Sequence, residues 1–506
     1  MRVIKSAGCA IEAWRSEVIR TLNFASPLFQ HPVNDLAPTA AVAARMHTDS
    51  LTPLTLAGLA RCADGRLVGD DRQFEIVSTD SRTLSAGSLF AALRGEQFDG
   101  HEFVQAAADR GACGLLVERK LPIDLPQVIV ADTLQALTAC ARARRRAFTA
   151  PVIGITGSNG KTTTKEMVGA ILGRLAPCLV TRGNLNNHIG VPLTLLRLRP
   201  EQRYAVVEMG ANHRGEIAHL ASIAEPTVGL VTNAGPAHLE GFGSLEGVAA
   251  GKGELLAGLR PDGIAIVNAD DRFAESWRAT AGARRVLTFG FDRAADFTAG
   301  DVRTTIGAEG ASIEFDLVSP AGTERAHLNL AGAHNLRNAL GAAAATHAAG
   351  VGLHDIVCGL AAVKAVKGRF EFKPAINGAT LVDDSYNANP GSLQAGLDAF
   401  QAVGKTRWLV LGDMMELGPT SDALHAEIGR HARATGIARL LAFGPRSKSA
   451  AEAFGEGASW FDDLDSLIDH ARRGLTADVV VLVKGSRANR LERVTAALAR
   501  PEGQSS

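Results

Sequence analysis

The feature that most constrains this chain is a glycine-rich segment, GITGSNGKTTT, at residues 154–164. An apolar run, residues 151–153, precedes it, and a helical pattern follows it as far as Leu175. A strand, a tight glycine turn and a helix in this order are typical of a phosphate-binding loop. The glycines let the backbone turn its N–H groups towards phosphate oxygens, and the helix N-terminus adds positive potential. The segment therefore predicts a nucleotide-binding loop within an α/β domain.

The residues of this loop have different predicted roles. Lys161 is placed to reach the β- and γ-phosphates, and the Thr162 hydroxyl is placed to ligate Mg²⁺. The other predicted nucleotide-binding residues of the loop are Gly157, Ser158, Asn159, Gly160 and Thr163. Ile155 stands where the strict pattern G-x-x-x-x-G-K-[ST] has its first glycine. An ordinary glycine-rich turn is the alternative, but Gly-Lys-Thr directly before a helix favours binding of ATP or GTP.

Composition removes several other classes of function. Lysine plus arginine and aspartate plus glutamate are equal at 53 each, so no bulk charge points to nucleic acid or a membrane surface. Aromatic residues make up only 5%, which disfavours base-stacking surfaces. The six cysteines are scattered, which indicates reduced thiols rather than disulfides or a zinc site. No apolar run approaches the roughly 20 residues of a membrane span. We expect a cytoplasmic monomer without a nucleic-acid partner and without membrane insertion.

The length of 506 residues favours about three domains. Residues 1–50 hold several arginines and few acids, and we expect a poorly ordered extension, with Met46 favoured as the natural start over a transit peptide. Residues 51–147 predict a small N-terminal α/β domain. Residues 148–365 predict a central domain with a parallel sheet behind the phosphate-binding loop, and residues 366–506 predict a C-terminal, Rossmann-like, doubly wound α/β domain.

Two polar residues follow predicted strands of the central domain. Glu208 ends an apolar run, and His238 lies in a Gly/Pro-rich loop after the next strand. Ligands bind at the carboxyl edge of open α/β sheets, so Glu208 is a candidate Mg²⁺ ligand and His238 a candidate metal or phosphate ligand. The alternatives are a solvated loop glutamate and a structural or surface histidine. Lys252, in the helix after the His238 loop, is by itself an unremarkable surface lysine.

Two loops are rich in asparagine. One contains Asn184 and Asn187, and the other, after a predicted C-terminal strand, contains Asn387 and Asn389. Amide side chains both donate and accept hydrogen bonds, which suits a peptide or a sugar. The alternative is that both are ordinary loops, since asparagine is common in turns.

Asp384 ends the predicted strand that precedes the second of these loops. A carboxylate in this position can accept hydrogen bonds from a ribose. The alternative is a capped turn in which Ser392 caps the following helix.

Three segments together resemble the Mur ligases and folylpolyglutamate synthetases. TGSNGKTT at residues 156–163 resembles the family's ATP loop, including its departure at Ile155. HNLRNA at residues 334–339 is similar to the adenine-side segment, and KGRFE at residues 367–371 is similar to the hinge motif. The resemblance extends from about Leu51 to the end and implies an ATP-dependent amide ligase.

Within the family, the segments GNLNN, EMGAN and DSYNANP are similar to the member that joins D-alanyl-D-alanine to UDP-N-acetylmuramoyl-tripeptide in peptidoglycan precursor synthesis. The resemblance implies these two substrates, ATP, two Mg²⁺ ions and an acyl-phosphate intermediate. The Asp-Asn-Pro-Arg segment of the enzyme that adds the third peptide residue is absent, and residues 78–82 argue against a folate enzyme. A nucleotide-binding switch protein is a further alternative, although no Asn-Lys-x-Asp guanine motif is present.

The resemblance also implies roles for residues in and near the nucleotide site. Lys161 would hold the β- and γ-phosphates, Thr162 and Glu208 the first Mg²⁺, and His238 the second. Lys252 matches a lysine that some members carbamylate, and the flanking Gly251 and Gly253, which we interpret as a sign of a loosely packed helix, favour that modification slightly.

The remaining implied contacts come from all three domains. Asn335 and Asn338 would face the adenine, while Arg369 and Asp384 would reach the phosphates and ribose. The candidates for the UDP-sugar are Asp80, Ser81 and Arg82, and those for the dipeptide are Asn387, Asn389 and Ser392. Because one site would draw on three domains, we expect domain closure to gate turnover.

Overall fold

The structure is a computed structural model that describes residues 51–95, 98–307 and 310–501. The predicted extension at residues 1–50 lies outside these ranges. Within them, three α/β units follow one another along the chain, each around its own sheet. This arrangement confirms the predicted α/β fold class with N-terminal, central and C-terminal units. None of the helices in the described ranges combines the length and apolar character that crossing a membrane requires.

The N-terminal unit is small. Its strands are β1 (Leu54–Thr55), β2 (Arg66–Val68), β3 (Gln73–Phe74), β4 (Val77–Ser78), β5 (Leu89–Ala91), β6 (Gly114–Val117) and β7 (Gln127–Ile129). Its α-helices are α1 (Leu56–Cys62), α2 (Val104–Asp109) and α3 (Thr133–Ala147). Five strands form a sheet in the order β2-β7-β6-β5-β4, in which only β2 runs antiparallel to its neighbour. Strands β1 and β3 form a separate antiparallel ribbon.

The central unit contains a six-stranded parallel sheet and a three-stranded antiparallel one. Its strands are β8 (Val152–Thr156), β9 (Cys178–Val180), β10 (Tyr204–Glu208), β11 (Val228–Val231), β12 (Ile264–Asn268), β13 (Arg285–Phe289), β14 (Thr298–Gly307), β15 (Gly310–Ser319) and β16 (Gly322–Leu328). Its α-helices are α4 (Lys161–Leu175), α5 (Gly190–Leu195), α6 (Glu216–Ala224), α7 (Leu239–Phe242), α8 (Leu245–Ala257), α9 (Ala274–Ala281), α10 (Ala333–Ala348) and α11 (Leu353–Ala361).

The strand order of the parallel sheet places the phosphate-binding loop. The order is β13-β12-β11-β8-β10-β9, so β8 lies between β11 and β10. The later strands are therefore added on both sides of β8. The loop after β8 therefore opens at the topological switch point, where ligands bind in open α/β sheets. Every residue of β8 is buried because helices cover both faces. Val152 packs in the cluster that includes α3, and Ile153 and Ile155 pack in the cluster that includes α4.

The C-terminal unit is a second doubly wound sheet. Its strands are β17 (Glu371–Pro374), β18 (Thr380–Asp384), β19 (Thr406–Gly412), β20 (Arg439–Phe443), β21 (Ala458–Phe461) and β22 (Val479–Lys484). Its α-helices are α12 (Pro390–Phe400), α13 (Ser421–Ala434), α14 (Lys448–Phe454), α15 (Leu464–Gly474) and α16 (Glu492–Leu498). The order is β17-β18-β22-β19-β20-β21, and only β17 is antiparallel to its neighbour. The carboxyl ends of β18, β22 and β19 therefore lie side by side.

Short 3₁₀ helices interrupt the loops between these elements. They lie at Gly100–Phe103, Ile376–Gly378, Gly418–Thr420 and Arg487–Asn489.

Helix α3 joins the N-terminal unit to the central one through buried arginines. Arg145 is 2% exposed, and its guanidinium donates to the carbonyl oxygens of Ala224 at 2.6 Å, Glu225 at 2.7 Å and Phe148 at 2.7 Å. Ala224 and Glu225 lie at the C-terminus of α6, where carbonyl groups lack partners within the helix. Burial lowers the pKa of Arg145 to about 10. The last turn of α3, which is rich in arginine, therefore makes a structural contact as well as carrying exposed charge.

Candidate active site

The phosphate-binding loop requires glycine at two positions. Gly157 has φ 146° and Gly160 has φ 81°, which are backbone conformations that other residues rarely adopt. Space is also lacking, since a Cβ atom would lie 1.9 Å from the Thr232 hydroxyl at the first position and 2.3 Å from the Asn338 amide oxygen at the second. The Thr232 hydroxyl donates to the Asn159 carbonyl at 2.6 Å. The loop is therefore held in shape by the end of β11 and the start of α10.

Lys161 begins α4 and folds back over the loop. Its ammonium donates to the carbonyl oxygens of Gly157 at 2.6 Å and Ser158 at 3.2 Å. Burial lowers the pKa of Lys161 to about 8; the nearby Glu208 carboxylate raises it and Arg369 lowers it further. An anionic ligand would stabilise the charged form of this desolvated ammonium, because a phosphate would take the place of the water that the ammonium has lost.

A first cavity, of about 320 Å³, lies beside the loop and between the central and C-terminal units. The predicted nucleotide and dipeptide residues that line it are Asn159, Gly160, Thr163, Asn335, Asn338, Arg369, Asp384 and Ser392. His334, from the same segment as Asn335, also lines it. Burial lowers the pKa of His334 to about 4, so its ring is neutral at pH 7 and suited to contact an uncharged base. The structure thus brings the loop, the adenine-side segment and the hinge together.

Asp384 has a partner that sequence reasoning missed. Lys484, at the end of the neighbouring strand β22, donates to an Asp384 carboxylate oxygen at 2.6 Å. Both side chains are buried in the first cavity's wall. Desolvation raises the pKa of Asp384 and lowers that of Lys484, while their mutual attraction opposes both shifts. The available signal was a lysine directly after a run of apolar residues at a predicted strand end.

A second cavity, of about 330 Å³, continues from the first along the loop. The predicted residues that line it are Ser158, Asn159, Gly160, Lys161, Thr162, Asn184, Asn187, Glu208, His238, Arg369, Asn387, Asn389 and Ser392. Asn159, Gly160, Arg369 and Ser392 line both cavities. The Arg369 guanidinium lies 4.2 Å from the ring centre of Tyr386, which holds it at the junction. One continuous cleft therefore contains most of the predicted site.

Glu208 ends β10 and is 2% exposed. One of its carboxylate oxygens, Oε1, accepts from the Asn186 amide at 2.8 Å, a partner that sequence reasoning missed although it lies in the asparagine-rich loop. Within the described part of the chain the other oxygen, Oε2, has no hydrogen-bond donor, and Lys165 Nζ lies 3.8 Å away. A buried carboxylate oxygen without a donor, in the cavity that Thr162 also lines, suits a Mg²⁺ ion.

His238 contacts the C-terminal unit. It has a left-handed backbone (φ 54°), and its ring atom Nδ1 contacts the carboxylate of Glu416, in the loop after β19. Burial lowers the pKa of His238, whereas Glu416 acts in the opposite direction. No group of three or more His, Cys, Asp or Glu side chains within the described ranges could by itself hold a metal. A Mg²⁺ ion here would therefore depend on Thr162 and on phosphate oxygens as well as on single carboxylate or imidazole ligands.

Lys252 lies behind the second cavity, and the expectation of a surface lysine is wrong. It is 1% exposed, donates to the carbonyl of Ala211 at 3.1 Å, and lies 5.0 Å from the ring centre of Phe242. Burial, helped by the charge of Lys161, lowers the pKa of Lys252 to about 7. Glu254, a possible partner by spacing, instead accepts from backbone N–H groups at the start of α6.

The interpretation of Gly251 and Gly253 as signs of loose packing is also wrong. A Cβ atom at Gly251 would lie 2.5 Å from a ring carbon of Phe242, and one at Gly253 would lie 3.1 Å from Trp277. These glycines allow α8 to pack closely against its neighbours, and the packing places Phe242 beside the Lys252 ammonium.

Several predicted amide ligands are already engaged within the protein. Asn187 Oδ1 accepts from the backbone N–H groups of Gly190 at 2.9 Å and Ile189 at 3.2 Å, in the turn before α5. Asn389 caps α12 through its Oδ1, which accepts from the Ser392 N–H at 2.9 Å, and its Nδ2 donates to Asn159 Oδ1 at 2.7 Å. The alternative of a capped turn is right in part: the helix is capped, but Asn389 is the capping residue and Ser392 takes the reciprocal position of a capping box.

Asp80, Ser81 and Arg82 are outside the cleft. Arg82 donates to both carboxylate oxygens of Asp80 at 2.9 Å, and this contact lowers the pKa of Asp80. The Arg82 side chain is 86% exposed, whereas Ser81 is buried. None of the three lines the first or second cavity. The structure thus places them on the N-terminal unit, after β4, without bringing them to the phosphate-binding loop.

Comparison with known proteins agrees with this architecture. Three family models match: the Mur ligase family catalytic domain over residues 73–148, the Mur ligase middle domain over residues 155–346, and the Mur ligase glutamate ligase domain over residues 368–487. The chain is 46% identical over 449 residues to UDP-N-acetylmuramoyl-tripeptide–D-alanyl-D-alanine ligase of Escherichia coli (strain K12), covering 88% of this chain and 98% of that protein. The chain therefore belongs to the Mur ligase family, as the resemblance predicted.

Two solved structures are similar over most of the chain. A crystal structure of MurF from Acinetobacter baumannii matches with a TM-score of 0.81 and 37% identity, covering 88% of this chain and 99% of that chain. MurF ligase from Thermotoga maritima in complex with ADP matches with a TM-score of 0.72 and 28% identity, covering 84% of this chain and 96% of that chain.

Proposed function

We propose that this chain is an ATP-dependent ligase that joins D-alanyl-D-alanine to UDP-N-acetylmuramoyl-tripeptide during cytoplasmic synthesis of the peptidoglycan precursor. The observation that carries the proposal is the continuous cleft, in which the phosphate-binding loop, the adenine-side segment and the carboxyl edge of the C-terminal sheet meet. The 46% identical relative acts on these two substrates according to its name, and the similarity covers nearly its whole length.

ATP would occupy the first cavity and extend its phosphates into the second. The neutral ring of His334, with Asn335 and Asn338, would contact the adenine. The Asp384–Lys484 pair would face the ribose. Lys161 and the N–H groups of the loop would hold the phosphates, because desolvated cations and helix N-termini favour anions.

Mg²⁺ is the cofactor that the second cavity fits. Thr162, Glu208 and His238 would hold one or two ions, of which Glu208 Oε2 is the best-supported ligand because it is buried without a donor in the described part of the chain. A bound Mg²⁺ ion would supply positive charge that neutralises the phosphates of ATP. The glutamate is itself held in place by the Asn186 amide, which fixes the direction in which the free oxygen points.

The chemistry requires two anions to approach each other. The terminal carboxylate of the tripeptide attacks the γ-phosphate, which gives an acyl phosphate and ADP. The dipeptide amine then attacks the acyl carbon, and phosphate leaves. Lys161 and Arg369 both line the second cavity, where charge builds up on the transferring phosphoryl group. Cations that are fixed before the reaction stabilise that charge without a reorganisation cost.

We assign the remaining candidates by their positions. Asn184, Asn187 and Asn387 line the second cavity and would contact the peptide parts of the substrates. Asp80, Ser81 and Arg82 would receive the UDP-sugar on the N-terminal unit. Lys252 would add CO₂ at its neutral amine to form a carbamate and release a proton, and the new carboxylate would orient a Mg²⁺ ion.

The test is ADP release from ATP, UDP-N-acetylmuramoyl-tripeptide and D-alanyl-D-alanine, with each omitted in turn. We expect sustained ADP release only with all three present, together with a peptide product one dipeptide longer. ADP release at an unchanged rate without the dipeptide would contradict the ligase assignment.

A further inference from the structure

A third cavity, of about 300 Å³, adjoins the second one and shares no lining residue with the first. The two share His238 and residues 387–389. Three walls of the third cavity are formed by the segments that come after β18, β19 and β22, whose carboxyl ends lie side by side. The fourth wall is the His238 loop of the central unit. A substrate in this cavity would therefore lie next to the second cavity, beside His238.

The lining of this cavity carries two opposite charges on two different loops. Glu416 lies at the end next to His238, with which it is in contact. Arg487, three residues after the end of β22, is the single arginine or lysine in the lining that the structure describes. Its side chain is 64% exposed, and its guanidinium lies 3.2 Å from a carboxylate oxygen of Glu492 and 6.0 Å from the ring centre of Tyr386. The cavity thus offers an anion beside His238 and a cation on a second loop.

The two charged loops are fixed to each other. The Ser486 N–H donates to the Asp413 carbonyl at 3.0 Å, and the Met415 N–H donates to the Ser486 hydroxyl at 2.9 Å. The Asn489 amide donates to the Asp413 carbonyl at 2.7 Å. The backbone that carries Arg487 is therefore anchored to the backbone that carries Glu416, which sets the positions of both charges before a ligand arrives.

We propose that Arg487 binds the C-terminal carboxylate of the incoming dipeptide, and so selects an acceptor that ends in a free carboxylate. This inference rests on the proposed function. A dipeptide is a zwitterion about 7 Å long. With its amine at the Glu416–His238 end, next to the phosphate region, its carboxylate extends into the cavity towards Arg487. A guanidinium recognises a carboxylate with two parallel hydrogen bonds.

The experiment compares D-alanyl-D-alanine with its C-terminal amide in the wild-type protein, Arg487→Gln and Arg490→Gln. Arg490 is an exposed arginine three residues further on that does not line the cavity, so Arg490→Gln is the matched control. We expect the wild type and the control to prefer the free dipeptide by about tenfold in kcat/KM, as a charged hydrogen bond contributes. Arg487→Gln should lose that factor for the free dipeptide, mainly through KM, and should treat the amide no worse than the wild type does.

A second readout separates this proposal from the proposed function. Hydroxylamine traps an acyl phosphate as a hydroxamate without any dipeptide. We expect all three proteins to form the hydroxamate from ATP and UDP-N-acetylmuramoyl-tripeptide at similar rates. If Arg487→Gln still prefers the free dipeptide by the wild-type factor while forming the hydroxamate normally, the assignment of Arg487 is wrong. If the wild type forms no hydroxamate and no product, the proposed function is wrong.

Discussion

Two lysines with lowered pKa values stand out at the residue scale, the half-buried Lys161 and the buried Lys252. Desolvation brings the pKa of Lys161 to about 8 and that of Lys252 to about 7, against an ordinary value of 10.5. The first side chain faces the cleft, while the second lies behind it, beneath Ala211. The same physical effect would favour binding of an anion at Lys161, and it gives Lys252 a larger neutral fraction near pH 7.

Lys161→Ala should lower kcat by roughly 100- to 1000-fold, because the phosphate region loses its main protein cation. Arg174→Ala, on the exposed end of the same helix, is the control and should retain normal turnover. The ADP-release assay measures both, and a melting curve checks that both are folded. Near-normal turnover in Lys161→Ala would contradict the nucleotide assignment.

Lys252→Ala should be inactive, and a short carboxylate such as acetate should partly restore activity by replacing the carbamate. The wild type, once depleted of CO₂, should regain activity faster at higher pH, because only the neutral amine adds CO₂. With a pKa of about 7, the neutral fraction rises about tenfold between pH 6 and pH 8 at equal dissolved CO₂. Full activity in Lys252→Ala without a response to acetate would exclude the carbamate.

Helix α3 is the element on which the contact between the first two units depends. Arg145→Met would leave the carbonyl groups of Ala224, Glu225 and Phe148 without their donor. We expect a loss of about 3 kcal/mol in the free energy of unfolding, measured by urea denaturation. The neighbouring Arg146 pairs with Glu225 at 2.9 Å on the surface, so Arg146→Met should cost less than about 1 kcal/mol. Equal losses in the two variants would show that the buried contacts are not decisive.

At the scale of the whole molecule, two side-chain contacts join the central and C-terminal units beside the phosphate-binding loop. Asn389 bonds to Asn159 of the loop, and Glu416 contacts His238. Arg369 and Asp384 line the nucleotide side of the cleft in this arrangement. We propose that these contacts favour a closed arrangement, which would complete the set of cations around bound phosphates.

Asn389→Ser separates the two roles of this side chain. Serine also caps helices, so the unfolding free energy should change by less than about 1 kcal/mol, but its short side chain does not reach Asn159. We expect the KM for ATP to rise about three- to tenfold. Asn389→Ala, which removes the cap as well, should show the same kinetic effect with a lower melting temperature. An unchanged KM for ATP in Asn389→Ser would show that the contact does not support nucleotide binding.

The sequence by itself determined the α/β class, the strand, glycine turn and helix of the phosphate-binding loop, and the strand ends that carry Glu208 and Asp384. These signals are local, because a strand, a glycine turn and a helix start are specified by neighbouring residues. The family resemblance added the adenine-side segment and the hinge. Local spacing was misleading at Ser392, because Asn389 provides the side-chain cap of that helix. It was also misleading at Gly251 and Gly253, which allow close helix packing and are not signs of a loosely packed helix.

Only the tertiary structure decided the partners of these residues and the burial of Lys252. Asn159 and Asn389 are 230 residues apart in the chain, and His238 and Glu416 are 178 apart. Asn186, Lys484 and Arg487 likewise acquire their positions from strands that become neighbours only in the folded sheets. Desolvation depends on every group that surrounds a side chain, and those groups come from distant segments, so no local pattern predicts it.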